Sequence, residues 1–265
     1  MLFRSIRTGP GTSNSIQNLS YLWDTMGNLV QRQDANQGLT ENFYYDDLYR
    51  LDSSQLNSTT NLDVAYDPRG NITSKQDASD VTPELGSATW LPSDLPATLG
   101  GASPQGSGSS DFLYDADGAR YKQVATRGST TETTLYIGGI LERVTTGTTT
   151  SFRHYIETPA GLAAIYIRSS TGTNTTYYSH RDHLGSTDKI TDGTGAVTIA
   201  LSYSAYGQRR GSNWTGAPSA SDWTTVNAIT HRGFTGHEHL DNVGLIHMNG
   251  DRKSTRLNSS HPYRS

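Results

Sequence analysis

"VAYDPRGNIT", residues 64–73, sets a tyrosine, an aspartate, a proline and a glycine in an order with a local physical meaning. With Asp67 at position i of a turn, its side chain bonds the backbone two residues on. Pro68 at i+1 presets φ near −65°, and Gly70 at i+3 supplies the conformation that turns the chain back. The frame returns as Asp24-Thr25-Met26-Gly27 and Asp115-Ala116-Asp117-Gly118, and again, without an aromatic, as Asp192-Gly193-Thr194-Gly195. Trp23, Tyr66 and Tyr114 precede the first three turns, and Tyr45 precedes Asp46 in "YYDDLYRL". Leu29 or Ile72 then opens a return strand, so the unit is a β-hairpin.

Asp24, Asp46 and Asp67 lie 21–22 residues apart. Periods of that size mark stacked architectures, in which a unit buries its face only against its neighbours. Tyrosine suits such stacking, because its ring buries roughly 150–250 Å² while its hydroxyl reaches a partner. The expected fold class is therefore all-β, built of stacked β-hairpins.

Composition agrees. The chain has 265 residues, 33% of them hydrophobic, with 27 Gly and three times as many Tyr (15) as Phe (5). That mixture favours turns and half-wet strands over helices. A net charge of −4 gives no nucleic-acid or membrane footprint. No apolar run approaches 18 residues, so no membrane span is expected, and "MLFRSIRTGPGTSNS" lacks a signal-peptide core. Without cysteine there are neither disulfides nor thiolate metal sites.

The Tyr-Asp pair, the Asp-x-x-Gly turn and the spacing resemble the YD repeats of the RHS family. "YYSHRDHLGSTDKITDGTGAV" (177–197), "LSYSAYGQRR" (201–210) and "RGFTGHEHLDNVGLIHMNG" (232–250) resemble the family's RHS repeat-associated core segment, in the same order. The resemblance implies that the stacked β-hairpins form a curved, spiralling sheet, a partial shell whose full-length bacterial parent is secreted or displayed at the cell surface and encloses a C-terminal toxin or effector, as polymorphic toxins do. It implies no cofactor and no enzymatic activity here. The family's self-cleaving Asp-Pro-x-Gly region would lie beyond Gly250. Arg232 is similar in place to an arginine that opens the family's core strand, and no catalytic residue is carried over. The alternative is a surface-exposed carbohydrate- or cell-binding module, with Tyr and Trp stacking on glycans. Inward rings favour the shell, and an exposed coplanar row favours binding.

Residues 1–19 read as a poorly ordered N-terminus and 20–82 as YD-repeat hairpins. Residues 83–110, rich in Pro, Gly and Ser, read as a loop or linker with Trp90 and Leu91 docking on the sheet. Residues 111–250 resume as repeat and core-associated region, with Leu135 and Ile137 sharing one strand face. Within it, 211–228 reads as a loop holding Trp214 and Trp223, and "TGHEHLDNVGLI" hints at a helical turn. Residues 251–265 carry four basic residues and one acidic and resemble translated adapter sequence, so they are expected to be a non-native tail detached from the fold.

Two constellations invite chemistry. His237 and His239 flank Glu238 and would share a strand face as possible metal ligands, with His231 and His247 nearby, but they lack HExxH spacing and read as packing. "SHRDHLGST" (179–187) sets two histidines around Asp182, yet offers no oriented nucleophile. It reads as a strand entering a Gly185 turn, with Asp182 and His183 bonding backbone. The glycine-rich stretches lack the lysine of a phosphate loop.

Overall fold

A computed structural model describes residues 4–77, 85–159 and 161–248. β1 (Ser5–Thr8), β2 (Gln17–Trp23), β3 (Leu29–Asp34), β4 (Leu39–Tyr45), β5 (Leu51–Leu56), β6 (Thr59–Tyr66) and β7 (Ile72–Asp77) form one antiparallel sheet in chain order. A second sheet of eleven strands follows, also in chain order. Its first strands are β8 (Leu85–Trp90), β9 (Pro96–Ser103), β10 (Gly106–Tyr114), β11 (Arg120–Arg127), β12 (Thr130–Ile137) and β13 (Leu141–Thr146). It continues with β14 (Thr149–Thr158), β15 (Gly161–Ser169), β16 (Asn174–Arg181), β17 (Thr187–Thr191) and β18 (Val197–Ala200). Residues 201–248 then leave the meander. They form the ribbon β19 (Ser202–Tyr203) and β20 (Arg209–Arg210), the helix α1 (Ala220–Ile229), a 3-10 turn at Phe234–Gly236, and the ribbon β21 (Glu238–Leu240) and β22 (Leu245–His247).

The quoted stretch closes as its residues dictate. Asp67 N donates to Asn71 O at 2.9 Å and Gly70 N to Asp67 O at 3.0 Å. Asp67 Oδ1 accepts from Arg69 N and Asn71 N, and Asn71 Nδ2 donates to Oδ2. These bonds, with that of the Asn71 side chain foremost, hold the carboxyl below its usual range. Gly70 stands at φ 88°, with Gly27 at 90° and Gly118 at 79°, and the ladder slips between Ala65 and Tyr66: a turn followed by a bulge. The same pair of main-chain bonds recurs from Asp24, Asp46, Leu91, Asp115, Ser169, Asp182, Asp192, Ser204 and Gly233.

Before three of these turns a tyrosine ties its hairpin to the one before. Tyr45 Oη donates to Leu29 O (2.8 Å), Tyr66 Oη to Leu51 O (2.7 Å) and Tyr114 Oη to Pro96 O (2.8 Å). Each acceptor is the first residue of the preceding return strand, so the distance from one turn to the next is fixed by the reach of one ring.

Four expectations are corrected. The N-terminus is not loose through residue 19, because β1 pairs with β2 in register Ser5↔Ser20 to Thr8↔Gln17 and Gln17 is buried. Residues 83–110 are not a linker. From Leu85 they form β8, β9 and most of β10, joined in part by the turn at Leu91, where Asp94 takes φ 59° in glycine's place. An aspartate tolerates this because its short side chain bonds locally. Gly108 answers to packing: a Cβ there would lie 2.4 Å from Asn242 O and 2.7 Å from Thr126 O. The expected loop at 211–228 contains most of α1, whose cap Ser219 and Asp222 exchange the two bonds of a capping box while Trp223, Val226 and Ile229 face the core. The expected helical turn at "TGHEHLDNVGLI" is a 3-10 turn leading into a two-stranded ribbon. Residues 251–265 lie outside the described residues.

Leu135 faces away from the covered side of the second sheet, and so does Ile137, which is 48% exposed. The covered side of the same strand carries Glu132, Thr134 and Tyr136. Apolar packing is concentrated where α1 meets β15 and β17, around Ile165, Ile190, Trp223 and Val226, with a smaller cluster of Leu99, Phe112, Leu240 and Val243.

The turn geometry fixes the sign of two substitutions. Gly70→Val should lower stability in urea unfolding by about 1 kcal/mol or more, because valine resists positive φ. Tyr49 holds the equivalent place at φ 59° and is exposed, so Tyr49→Asn should raise stability by about 0.5 kcal/mol or more. An unchanged midpoint for Gly70→Val would count against the turn assignment.

Candidate functional site

The covered faces of both sheets carry charge, and residues 201–248 carry most of the charge that answers it. Glu41, on β4, is 1% exposed. It accepts from Arg210 Nη1 and Nη2 at 3.0 and 2.8 Å, from Arg32 Nε at 2.6 Å and from Asn61 Nδ2 at 2.7 Å. Burial alone would raise its pKa, yet Arg32, Arg210 and these hydrogen bonds hold it at about 2. Arg32 also donates to Tyr203 O and lies 4.8 Å from the Trp214 ring, so one guanidinium joins β3, β4 and the C-terminal segment.

Beside it the two sheets touch directly. Lys189 Nζ on β17 lies 3.0 Å from Asp34 Oδ2 on β3, and Gln17 Nε2 on β2 donates to Asp188 Oδ2 at 2.8 Å. Complete burial pushes the Asp188 carboxyl up to about 6 despite Lys189.

On the second sheet, Glu238 pairs with Arg120 and accepts from Tyr136 Oη at 2.5 Å. His231 Nε2 stands 2.8 Å from Glu132 Oε1, and its Nδ1 stands 3.5 Å from Asp241 Oδ2. Burial would discharge this imidazole, but Glu132 and Asp241 outweigh it and raise its pKa to about 10. Asp241 in turn accepts from Arg209 Nε at 3.1 Å. Arg232 pairs with Glu157 and lies 4.0 Å from the centre of the Tyr155 ring. Asn242 reaches Ser109 O and Ser110 Oγ on β10, which the small residues of that strand leave accessible.

The sequence-derived residues fall into two groups. The turn residues Asp24, Gly27, Asp67, Pro68, Gly70, Asp115 and Gly118 sit at hairpin ends, and the repeat aromatics Trp23, Tyr45, Tyr66 and Tyr114 are half-buried beside them. Asp182 bonds backbone as expected, accepting from Leu184 N and Ser186 N. His183 does not act through its ring on backbone: the ring packs on Tyr21 (4.2 Å) and Trp23 (5.6 Å), and burial lowers its pKa to about 4. His237 and His239 serve local bonds. His239 Nε2 accepts from Phe234 N, and burial followed by Arg209 keeps that ring neutral. His237 Nδ1 meets Thr235 Oγ1 at 2.7 Å. The charged set of Glu41, Arg32, Arg210, Glu132, His231 and Asp241 was not legible as a site. Its one sequence signal is a charge at an inward position of an alternating strand, as in "TENFYY" and "TTETTLYI".

No family model matches the chain, and no curated protein matches it significantly. Solved structures do. A TcdB2-TccC3-TEV structure matches with a TM-score of 0.68 over 92% of this chain at 15% identity. A TcdB2-TccC3 structure matches with 0.68 over 91% at 17%, and a TcdB2-TccC3 structure without its hypervariable C-terminal region with 0.67 over 91% at 17%. The hairpin meander and its C-terminal segment therefore share the fold of part of those chains. This chain spans only 15–16% of their length.

Two measurements probe the charge network. Glu41→Ala strands two buried guanidinium groups and should cost about 3–5 kcal/mol, read as a lower urea midpoint. His231 contributes stability that is complete below its ordinary pKa of 6.5 and is lost as pH rises through about 10. Melting temperature should fall across that window in the parent and stay flatter there in His231→Gln; parallel curves would refute the assignment.

Proposed function

We propose that this chain is a wall segment of an RHS/YD-repeat shell, part of a larger secreted bacterial protein that encloses a C-terminal toxin or effector. The observation that carries this reading is the likeness to TcdB2-TccC3 over nine-tenths of the chain, C-terminal segment included. One of those structures lacks a hypervariable C-terminal region, which is the kind of cargo the proposal assigns to the parent of this chain. The topology supports it too. Each strand bonds to its neighbours in sequence, so a ribbon of hairpins can lengthen without any long crossover. The last described strand, β22, pairs with β21 on the covered side, where Leu240 and Leu245 pack on Leu99 and Phe112. A chain continuing from there starts on that side of the wall.

The repeat aromatics speak for a wall rather than a glycan platform. The hydroxyls of Tyr45, Tyr66 and Tyr114 are engaged on backbone carbonyls, and Trp214 and Trp223 are buried. The wall has no turnover of its own in this reading.

Protease protection of the parent protein tests the proposal. The region downstream of residue 250 should survive a trypsin dose that digests the same region expressed alone. The purified chain itself should stay intact on prolonged incubation. Equal digestion of attached and free cargo would refute encapsulation. Site-specific self-fragmentation, abolished by one Asp or His substitution, would refute the absence of catalysis.

A further inference from the structure

Between β11–β14 and the C-terminal segment lies a cavity of about 480 Å³. The strands turn hydroxyls toward it: Thr126, Thr130, Thr134, Thr146, Thr149 and Ser151 all line it. Arg153, on β14, lines it as well and is 2% exposed. Its Nη2 donates to Asn227 O on α1 at 2.5 Å, but its Nε and Nη1 have no hydrogen-bond partner among the described residues. A buried guanidinium with unmade bonds costs far more than a neutral group in that position.

The neighbouring acids Glu132 and Glu142 offset the charge of Arg153 without hydrogen-bonding its free nitrogens. Glu132 and Asp241 hold His231, Glu238 holds Arg120, and Glu142, opposite Arg153 in register, accepts from Tyr155 Oη at 2.9 Å. Two more orphans share the cavity: Asn227 Oδ1 and Asp241 Oδ2 are acceptors without a hydrogen-bond donor among the described residues. The site therefore holds, shielded from bulk solvent, two N–H donors from a cation, one amide carbonyl acceptor and one carboxylate oxygen, among hydroxyls able to serve either role.

We propose that this cavity binds a carboxylate that carries an amide N–H close by, the chemistry of an acidic residue in a peptide. The carboxylate takes the free donors of Arg153 as charge-assisted bonds, and the amide N–H donates to Asn227 Oδ1. A doubly charged phosphate is disfavoured, because Glu132, Glu238 and Asp241 add negative potential to the same wall. The inference rests on this geometry and not on the shell reading.

Isothermal titration of the purified chain with N-acetylglutamate N-methylamide, glutarate and inorganic phosphate tests it. Saturable binding of the amide is expected, weakened at least tenfold in Arg153→Gln. Glutarate binding as tightly as the amide would assign the site to free dicarboxylates, whereas weaker glutarate binding supports the peptide source. Thr224→Trp, on the exposed rim at α1, should weaken binding with Arg153 intact, and it decides the matter if Arg153→Gln does not fold. No saturable binding by the parent chain, binding indifferent to both variants, or phosphate binding tighter than either carboxylate would overturn the proposal.

Discussion

A covered sheet face must satisfy every polar group it buries, and here that face carries ionised side chains. Glu41, Asp34, Glu132 and Arg153 point from strands into the protein rather than into water. A buried charge without a partner is among the costliest features a fold can hold. Arg209, Arg210, His231 and Glu238 come from a segment that follows the whole meander, and Lys189 comes from its penultimate strand. The Glu41–Arg210 pair spans 169 residues of sequence and the Lys189–Asp34 pair 155. The two sheets and the segment beneath them are therefore one electrostatic unit.

Along the ribbon a second constraint acts, and it is local. Each hairpin ends in a turn closed by its own aspartate or a substitute, and at three of them a tyrosine hydroxyl is fixed to the first carbonyl of the previous return strand. The Asp24, Asp46, Asp67, Leu91 and Asp115 turns follow one another on this rule, although the intervals widen around Leu91. The ring supplies apolar contact and its hydroxyl the directional bond, so a chain that is only 33% hydrophobic can still pack. Arg50 over the Tyr66 ring at 4.4 Å adds a cation to the same stack.

What the sequence disclosed follows from this division. The turns were readable because Asp, Pro and Gly each have a local reason to sit where they do, and the spacing was readable because the tyrosine link is also local. Leu91–Leu95 escaped because its turn has no aspartate at the start and Asp94 where glycine was sought. β10 escaped because its Gly108, Ser109 and Ser110 answer to Asn242, more than 130 residues away. The helix α1 was a different kind of miss. Ser219 and Asp222 already spell a capping box, with Trp223, Val226 and Ile229 at helical spacing behind it.

The charged face was hidden for a deeper reason. Alternation in "TTETTLYI" sets Leu135 and Ile137 on one side and Glu132, Thr134 and Tyr136 on the other, and a hydrophobic rule picks the wrong side as the inner one. The rule fails because what covers this sheet is not an apolar layer but a segment carrying complementary charges. Buried pairs of this kind add little net stability over apolar packing, whereas a lost or misplaced partner is heavily penalised. Their physical effect is thus selective: a C-terminal segment shifted along the ribbon would take His231 from Glu132 and Glu238 from Arg120 at once, and leave Glu41 with Arg32 alone. An apolar layer would tolerate such a shift, since hydrophobic contact has no direction. The polar covered face therefore fixes where the last segment of the chain lies on a ribbon that is otherwise built from repeated hairpins.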